Sequence, residues 1–138
     1  SLIAKLGLAG KVRLTGHVDA PTLDALYRTA SLYVMCSNIR AEAFGVVLLE
    51  AMSHAIPIVA TDIPGSGVPW VIEHGRSGLI VPPDSPQQLA EAMDSILQNP
   101  ELASRLAQGA ISRFRSTFTR DGMIGKFLEL VLPDRPSA

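Results

Sequence analysis

The chain has one cysteine, almost no net charge and no long apolar run. Its single cysteine, Cys36, excludes an internal disulfide and leaves no cysteine-based metal-ligand set. Because Cys36 closes the apolar run 32–36, we expect a buried structural thiol rather than a nucleophile. The chain has 12 Lys and Arg residues and 13 Asp and Glu residues, which give a net charge of −1. This charge argues against general nucleic-acid binding, so we do not expect nucleic acid as a partner.

The sequence also lacks a signal-peptide pattern and a stretch long enough to cross a membrane. We therefore expect a cytoplasmic protein. Because the sequence begins within a helical pattern, the question of a targeting signal upstream of residue 1 stays open. Peripheral association of the whole protein with the inner face of a membrane stays open as well. With 138 residues, 47% of them hydrophobic and 18% charged, the chain fits one domain with a sizeable core.

Apolar segments of strand length alternate with helical patterns along the chain. Strands are predicted at 11–15, 32–36, 56–60 and 78–81, and helices at 2–8, 19–30, 45–54, 68–74, 85–97, from 99 and up to 131. We expect Ser85 to cap a helix that buries Leu97, and the run 32–36 to be covered on both faces. This alternation predicts an α/β fold with a doubly wound parallel sheet. Its ligands should lie at the carboxyl ends of the strands, where loops 16–18, 37–45 and 61–67 meet.

Two glutamates, Glu42 and Glu50, bracket a segment that passes through Gly45 into a helix that is apolar almost all round. We expect that helix to be buried. No Ser, Thr, Asp or Asn immediately precedes Gly45, so water or an anion must satisfy the first amides, and helix N-termini bind phosphate readily. Carboxylates accept hydrogen bonds from sugar hydroxyls. The two glutamates therefore fit the hydroxyls on either side of a diphosphate, which points to a nucleotide-sugar.

The spacing Glu42-x7-Glu50, with Phe44-Gly45 inside it, resembles the donor-site motif of retaining GT-B glycosyltransferases of the family-4 type. The similarity continues through residues 55–61 and 67–83 and covers about 6–130. The resemblance implies the carboxyl-terminal, Rossmann-like half of a GT-B fold. It implies transfer of a sugar from a nucleoside-diphosphate sugar to an acceptor hydroxyl with retention at the anomeric carbon. Residues 1–132 would form the donor-binding domain without its first strand and helix, and 133–138 a tail.

The resemblance also assigns roles to single residues of the motif. Glu42 is the catalytic candidate, which would orient the donor sugar near the reacting carbon. Glu50 would bind the ribose hydroxyls of the nucleotide. Phe44 would fix the loop by packing, and Gly45 would let the backbone approach the ligand. The following amides would meet a sugar hydroxyl and the diphosphate, and they belong to Val46 and Val47.

The loop Gly16-His17-Val18 lies where similar enzymes meet the nucleotide base, and we assign it to donor binding. From the residues alone, His17 could equally be a general base, a metal ligand or a structural loop histidine. We expect neither a cofactor nor a metal, because amides and cations would stabilise the leaving group. The identities of the donor base, the donor sugar and the acceptor stay open. The sequence is compatible with a role in polysaccharide or glycolipid assembly.

Alternative interpretations stay open for the function and for single residues. A different nucleotide-sugar enzyme on the same sheet, such as an epimerase, should lack the Glu42-x7-Glu50 spacing, and a non-catalytic module remains the other alternative. Glu50 has a simpler interpretation as an ion pair with His54, one turn further along. Arg40 is expected to be solvated at the surface, and Trp70 to be buried under the preceding loop, although Trp70 could line a sugar site.

Two parts of the family's active site have no counterpart in these 138 residues. The resemblance implies an Arg/Lys pair that neutralises the diphosphate before residue 1, and an amino-terminal acceptor domain as the missing partner. Charge-assisted contacts to phosphate are the strong ones. We therefore expect the chain alone to be catalytically inert and to bind the donor weakly.

Overall fold

The computed structural model describes residues 1–39 and 45–131, with the backbone alone for 127–131. In these ranges the strands are β1 (Tyr33–Met35), β2 (Ile58–Thr61) and β3 (Leu79–Val81). The helices are α1 (Leu2–Lys5), α2 (Ala20–Thr29), α3 (Val46–Ser53), α4 (Val68–Val71), α5 (Pro86–Leu97), α6 (Pro100–Arg113) and α7 (Arg120–Val131). A π-helical turn, Phe114–Phe118, joins α6 to α7, close to the predicted break.

The three strands form one parallel sheet in the order β1-β2-β3. Val59 in the middle of β2 pairs with Val34 on one side and with Leu79 on the other. All four residues of β2 are buried, as expected for a central parallel strand covered on both faces. The predicted α/β fold with a parallel sheet is confirmed, and the carboxyl ends of the three strands lie at one edge.

Two apolar clusters cover the two faces of the sheet. On one face, Ile58 and Ala60 of β2 pack with buried residues of α3 and α4. On the other face, Val59 packs with Ile96 of α5. Helix α6 reaches both clusters and contributes Leu106 to the second and Ala110 to the first. The core therefore extends through the sheet and fixes where its carboxyl edge lies relative to α3.

The predicted strand at residues 11–15 does not form. Val12 makes only an isolated bridge with Ala9, and residues 11–17 are exposed, with Leu14 at 80%. A strand needs a hydrogen-bonded neighbour, and no described strand runs beside this segment. An alternating pattern without that neighbour leaves the backbone to water, so the expectation was wrong.

Two expectations about the run 32–36 are also wrong. Cys36 is exposed because β1 ends at Met35, and the thiol lies beyond the last paired residue. Met35 is buried, but Tyr33 and Val34 are only half-buried, so β1 is not covered on both faces as β2 is. β1 lies at the edge of the described sheet, where fewer side chains cover it.

The ends of the longer helices follow the sequence signals in most cases. Asp19 caps α2 by accepting from the Thr22 amide at 3.0 Å, and Asn99 caps α6 in the same way. Ser85 is the N-cap residue of α5 and Pro86 begins the helix, as predicted, but the Ser85 side chain makes no capping hydrogen bond. Leu97 is exposed rather than buried, because Ile96 is the residue that turns toward the sheet.

An ion pair and an aromatic contact hold α2 against α3. His54 Nε2 lies 3.0 Å from Asp24 Oδ1, and the His54 ring stacks on Tyr27 with centroids 5.1 Å apart. The Arg28 guanidinium lies 2.6 Å from the other Asp24 oxygen. The hydrogen bond to Asp24 raises the pKa of His54, and those from Arg28 and His54 lower the pKa of Asp24.

Helix α6 passes very close to the loop that precedes β3. A Cβ on Gly109 would lie 1.8 Å from the carbonyl oxygen of Arg76. Arg113 at the end of the same helix donates to the Val71 carbonyl at 2.9 Å and pairs with Glu73. The glycine and the arginine together bring α6 onto α4 and the loop that follows it.

We expect the His54–Asp24 pair to stabilise the fold most between about pH 4 and 6.5. His54 has a folded pKa above its ordinary 6.5, so its contribution is complete below that value and is lost as pH rises through the folded pKa. Asp24 has a folded pKa below its ordinary 3.8, so its contribution is complete above that value and is lost at lower pH. The unfolding temperature of Asp24→Asn should therefore fall further below that of wild type at about pH 5.5 than at about pH 9.

The matched control for this pair is Asp94→Asn, which removes the same charge from an exposed position on α5. The difference in unfolding temperature between Asp94→Asn and wild type should be no larger at about pH 5.5 than at about pH 9. A destabilisation by Asp24→Asn that is equal at both would contradict the assigned ion pair.

We expect Gly109→Ala to lower the free energy of unfolding by about 2 kcal/mol. The added methyl meets the backbone carbonyl of Arg76 at 1.8 Å, so its cost should lie at the upper end of overpacking, about 3 kcal/mol. Alanine gains about 1 kcal/mol over glycine in a helix, which leaves a loss of about 2 kcal/mol. Urea unfolding measures the difference. Gly125→Ala on α7 is the control, because nothing lies within 4 Å of its added Cβ. Equal stability of the two variants would show that the contact at Gly109 is not tight.

Candidate active site

The loops at the carboxyl edge of the sheet are tied to one another. The Thr61 hydroxyl, at the end of β2, donates to the Ser37 carbonyl in the loop after β1. Asn38 Nδ2 donates to Asp84 Oδ1 at 2.8 Å in the loop after β3. The segment that leads toward residues 40–44 therefore starts from a fixed position at this edge, as the parallel topology predicts.

Helix α3 begins at Gly45, which has a left-handed conformation with φ of +75°. Only glycine adopts this conformation readily, and a Cβ there would also lie 2.8 Å from Leu48 Cδ1. Within the described residues no side chain caps the helix, as the sequence predicts. The Leu48 amide donates to the Gly45 carbonyl, so the amides that need an outside acceptor are those of Val46 and Val47.

The expectation that α3 is buried all round is wrong at its first turn. Leu48, Ala51 and Met52 are fully buried, and their spacing of three and four residues marks the side that faces the sheet. Val46 is 62% exposed and Val47 is 37% exposed. The buried stripe of α3 starts only at Leu48, and the donor-binding candidates of the first turn lie on the accessible side.

Glu50 lies on the same accessible side and is held by a tyrosine of the neighbouring helix. The Tyr27 hydroxyl donates to Glu50 Oε2 at 2.9 Å, and Tyr27 itself is only 9% exposed. Burial, and then the hydrogen bond to Glu50, raise the pKa of Tyr27, which keeps its hydroxyl protonated as a donor. The predicted burial of the helix does not extend to Glu50, which is exposed, so its charge needs no buried partner and no ligand-binding role follows from burial.

The simpler interpretation of Glu50, an ion pair with His54, is also wrong. His54 Nε2 pairs with Asp24, and His54 Nδ1 lies 2.9 Å from the backbone carbonyl of Glu50 rather than from its carboxylate. The Glu50 carboxylate therefore keeps lone pairs available after it has accepted from Tyr27.

A cleft of about 210 Å³ lies between α2 and α3 beside this carboxylate. Leu23 and the Tyr27 ring give it an apolar side, and Asp24 and Glu50 supply acceptor oxygens. The Ser53 hydroxyl also lines the cleft but already donates to the Glu50 carbonyl. Carboxylate acceptors of this kind suit a ligand that brings its own hydroxyl groups. Chemically, the cleft can bind a hydroxylated ring.

The remaining predicted site residues belong to two segments of the sequence, of which the structure describes one. Gly16, His17 and Val18 form the loop that leads into α2, where His17 is exposed and Gly16 has φ of +62°. Ala20, two residues after Val18, lines the cleft, whereas Gly16, His17 and Val18 are not among the described residues that line it. Glu42, Phe44 and Arg40 lie outside the described residues, as do residues 132–138 of the predicted domain end and tail, so the predictions for them stay predictions.

Tyr27 lines the cleft and contacts Glu50, and sequence reasoning did not identify it as a site residue. Its position in an amphipathic helix indicated a core residue, and its ring is indeed buried. The hydroxyl contact with Glu50 joins residues 23 positions apart, which no local pattern reports. Trp70 was predicted to be buried but is 54% exposed, with its indole edge-on to the Phe118 ring at 5.2 Å.

Residues 1–39 and 45–131 contain neither a metal-binding cluster nor a membrane-spanning helix. No group of three or more His, Cys, Asp or Glu residues there could hold a metal ion. No helix in those ranges has the length and apolar character needed to cross a membrane.

The chain is similar in sequence to enzymes that transfer sugars. Residues 1–113 match the family model described as glycosyl transferases group 1. The D-rhamnosyltransferase WbpZ of Pseudomonas aeruginosa is 35% identical over 116 residues, which cover 84% of this chain and 30% of that enzyme. The chain thus spans about a third of the length of the curated relatives it matches.

Solved structures show the same relationship in three dimensions. HepE from Anabaena, crystallised in complex with UDP, has a TM-score of 0.79 and 26% identity, covering 94% of this chain and 34% of that one. The C-terminal domain of the group 1 family protein LpcC from Francisella tularensis has a TM-score of 0.75 and 25% identity, covering 86% of this chain and 60% of that one. The chain therefore belongs to the glycosyl transferases group 1 family and has the Rossmann-like α/β fold of the C-terminal half of a GT-B enzyme.

Proposed function

We propose that the chain is the donor-binding domain of a retaining glycosyltransferase of the family-4 type. The observation that carries the proposal is the pairing of two features on α3. The helix begins with amides that no described side chain caps, and one turn later it presents the exposed carboxylate of Glu50. Amide donors suit a diphosphate, and a carboxylate acceptor suits ribose hydroxyls. A nucleoside diphosphate carries both groups.

In this proposal each part of the site meets a different part of the donor. Glu50 accepts from the ribose hydroxyls, and the first amides of α3 donate to the diphosphate. Loop 16–18 lies against the base, while Glu42 orients the sugar and Phe44 fixes the loop that carries it. The bond between the anomeric carbon and the diphosphate oxygen breaks, the acceptor oxygen bonds to that carbon on the same face, and the proton of the acceptor hydroxyl passes to the departing diphosphate.

Leaving-group stabilisation is proposed to come from helix amides and cations, without a metal or another cofactor. Amides at a helix N-terminus carry a partial positive charge that favours negative charge developing on the diphosphate. The complex of HepE with UDP makes UDP the first nucleotide to test. Cations contributed from outside this chain would complete the charge balance.

We propose that residues 1–132 belong to a domain that needs further chain to be complete. Relatives of about three times the length support this, as does the half-buried β1 strand at the edge of the described sheet. The missing parts would be a first strand and helix of this domain and an amino-terminal domain that binds the acceptor. Residues 133–138 would form a tail.

We expect the chain to bind one of UDP, GDP or ADP, and Glu50→Gln to weaken that binding by about tenfold or more. Hydrogen bonds to a charged group contribute about 1.5–3 kcal/mol, and about 1.4 kcal/mol corresponds to tenfold. Ligand-observed NMR at millimolar nucleotide detects affinities this weak. Glu91→Gln is the matched control, since Glu91 is exposed on α5 and bonds to Gln87 there. Unchanged binding by Glu50→Gln would remove Glu50 from the site.

We also expect the chain alone to transfer no sugar from UDP-, GDP- or ADP-sugars. In this proposal the cations that hold the diphosphate and the domain that holds the acceptor are contributed from outside this chain, so the chain alone would not bring the reacting groups together. Release of nucleoside diphosphate in the presence of candidate acceptors measures the reaction. Transfer at a rate clearly above the uncatalysed reaction would show that these 138 residues contain a complete active site.

A further inference from the structure

The Glu50 side chain is exposed and would be free to turn if nothing held it. Its carboxylate instead accepts from the Tyr27 hydroxyl at 2.9 Å, across the contact between α2 and α3. A carboxylate has about four acceptor positions, so this hydrogen bond leaves most of them available. From this geometry we propose that Tyr27 is a positioning residue, which fixes the Glu50 carboxylate so that it can accept from two adjacent hydroxyls of a ribose. The inference rests on the proposed function.

Tyr27 can act in this way because its own ring is held on two sides. The ring stacks on His54 with centroids 5.1 Å apart and an interplanar angle of 20°, and it lies 5.9 Å from the Tyr33 ring. His54 is in turn bonded to Asp24 and to the Glu50 carbonyl. A tyrosine has only two side-chain torsions, so packing on its ring fixes the direction of its hydroxyl.

The contact also sets which hydroxyls Glu50 can recognise. Because Tyr27 donates to Oε2, that oxygen is held against α2, while Oε1 and the remaining lone pairs stay available to a ligand. A pair of neighbouring hydroxyls can then donate to a carboxylate that no longer has to lose torsional freedom on binding. Removal of the tyrosine hydroxyl should therefore reduce discrimination for ribose hydroxyls, while contacts to the base and diphosphate remain.

The test compares a ribonucleotide with its analogue that lacks both ribose hydroxyls. UDP, GDP and ADP are each measured against their 2′,3′-dideoxy forms by competition NMR, with wild type, Tyr27→Phe, Glu50→Gln and the double variant. We expect Tyr27→Phe to weaken ribonucleotide binding by about 3- to 10-fold, the range of one hydrogen bond, and to leave the dideoxy forms unchanged. The double variant should bind no more weakly than Glu50→Gln, because both changes remove one function.

Tyr27→Phe keeps the ring that packs on His54 and Tyr33, so we expect it to fold, which circular dichroism checks. Thr29→Val is the matched control on the same helix, since it removes a hydroxyl that bonds only within α2. A loss of affinity that is equal for ribo and dideoxy forms would mean a merely structural role for Tyr27 and would overturn the inference.

The other outcomes separate this inference from the proposed function. If Glu50→Gln loses the preference for ribonucleotides and Tyr27→Phe keeps it in full, the inference fails and the proposed function stands. If Glu50→Gln also keeps the preference, the ribose role of Glu50 fails, and the role of Tyr27 fails with it. No binding of any of the three nucleotides by wild type at millimolar concentration would overturn both.

Discussion

The packing of α3 against β2 is the contact on which the rest of the structure depends. Leu48 and Met52 of the helix and Ile58 of the strand are fully excluded from water. Burying side chains of this size stabilises a fold by about 1.5–3 kcal/mol each. This contact fixes which side of α3 faces the sheet. The opposite side, with Val46 and Glu50, is therefore exposed beside the carboxyl edge.

Much of this fold could be predicted because its signals are local. The apolar run at β2, the Asp19 and Asn99 caps and the glycine before α3 each depend on neighbours within a few residues. The errors arise where a residue or strand far away in the sequence determines whether a segment pairs or is buried. Residues 11–15 alternate like a strand but have no described strand beside them, and Cys36 follows an apolar run yet lies beyond the last pairing of β1. Pattern alone reports the tendency of a segment and not the presence of its neighbour.

The candidate site divides in the same way. The glutamate spacing and Gly45 led to the family, which the sequence and structure comparisons show, and Gly45 has the conformation that only glycine adopts readily. The hold of Tyr27 on Glu50 could not be predicted, because it joins two helices through a hydroxyl in a ring that otherwise reads as core. The roles of Glu42 and Phe44 stay predictions.

Gly109 sets a limit on how this sequence can diverge. In the middle of α6 a glycine weakens the helix by about 1 kcal/mol, so by local preference alone alanine should replace it readily. The carbonyl of Arg76 prevents this substitution, since it occupies the space that a side chain at position 109 would need. A descendant of this chain could gain a larger residue there only after the loop before β3 had moved. The residue type at position 109 therefore depends on the position of a loop more than thirty residues earlier in the chain.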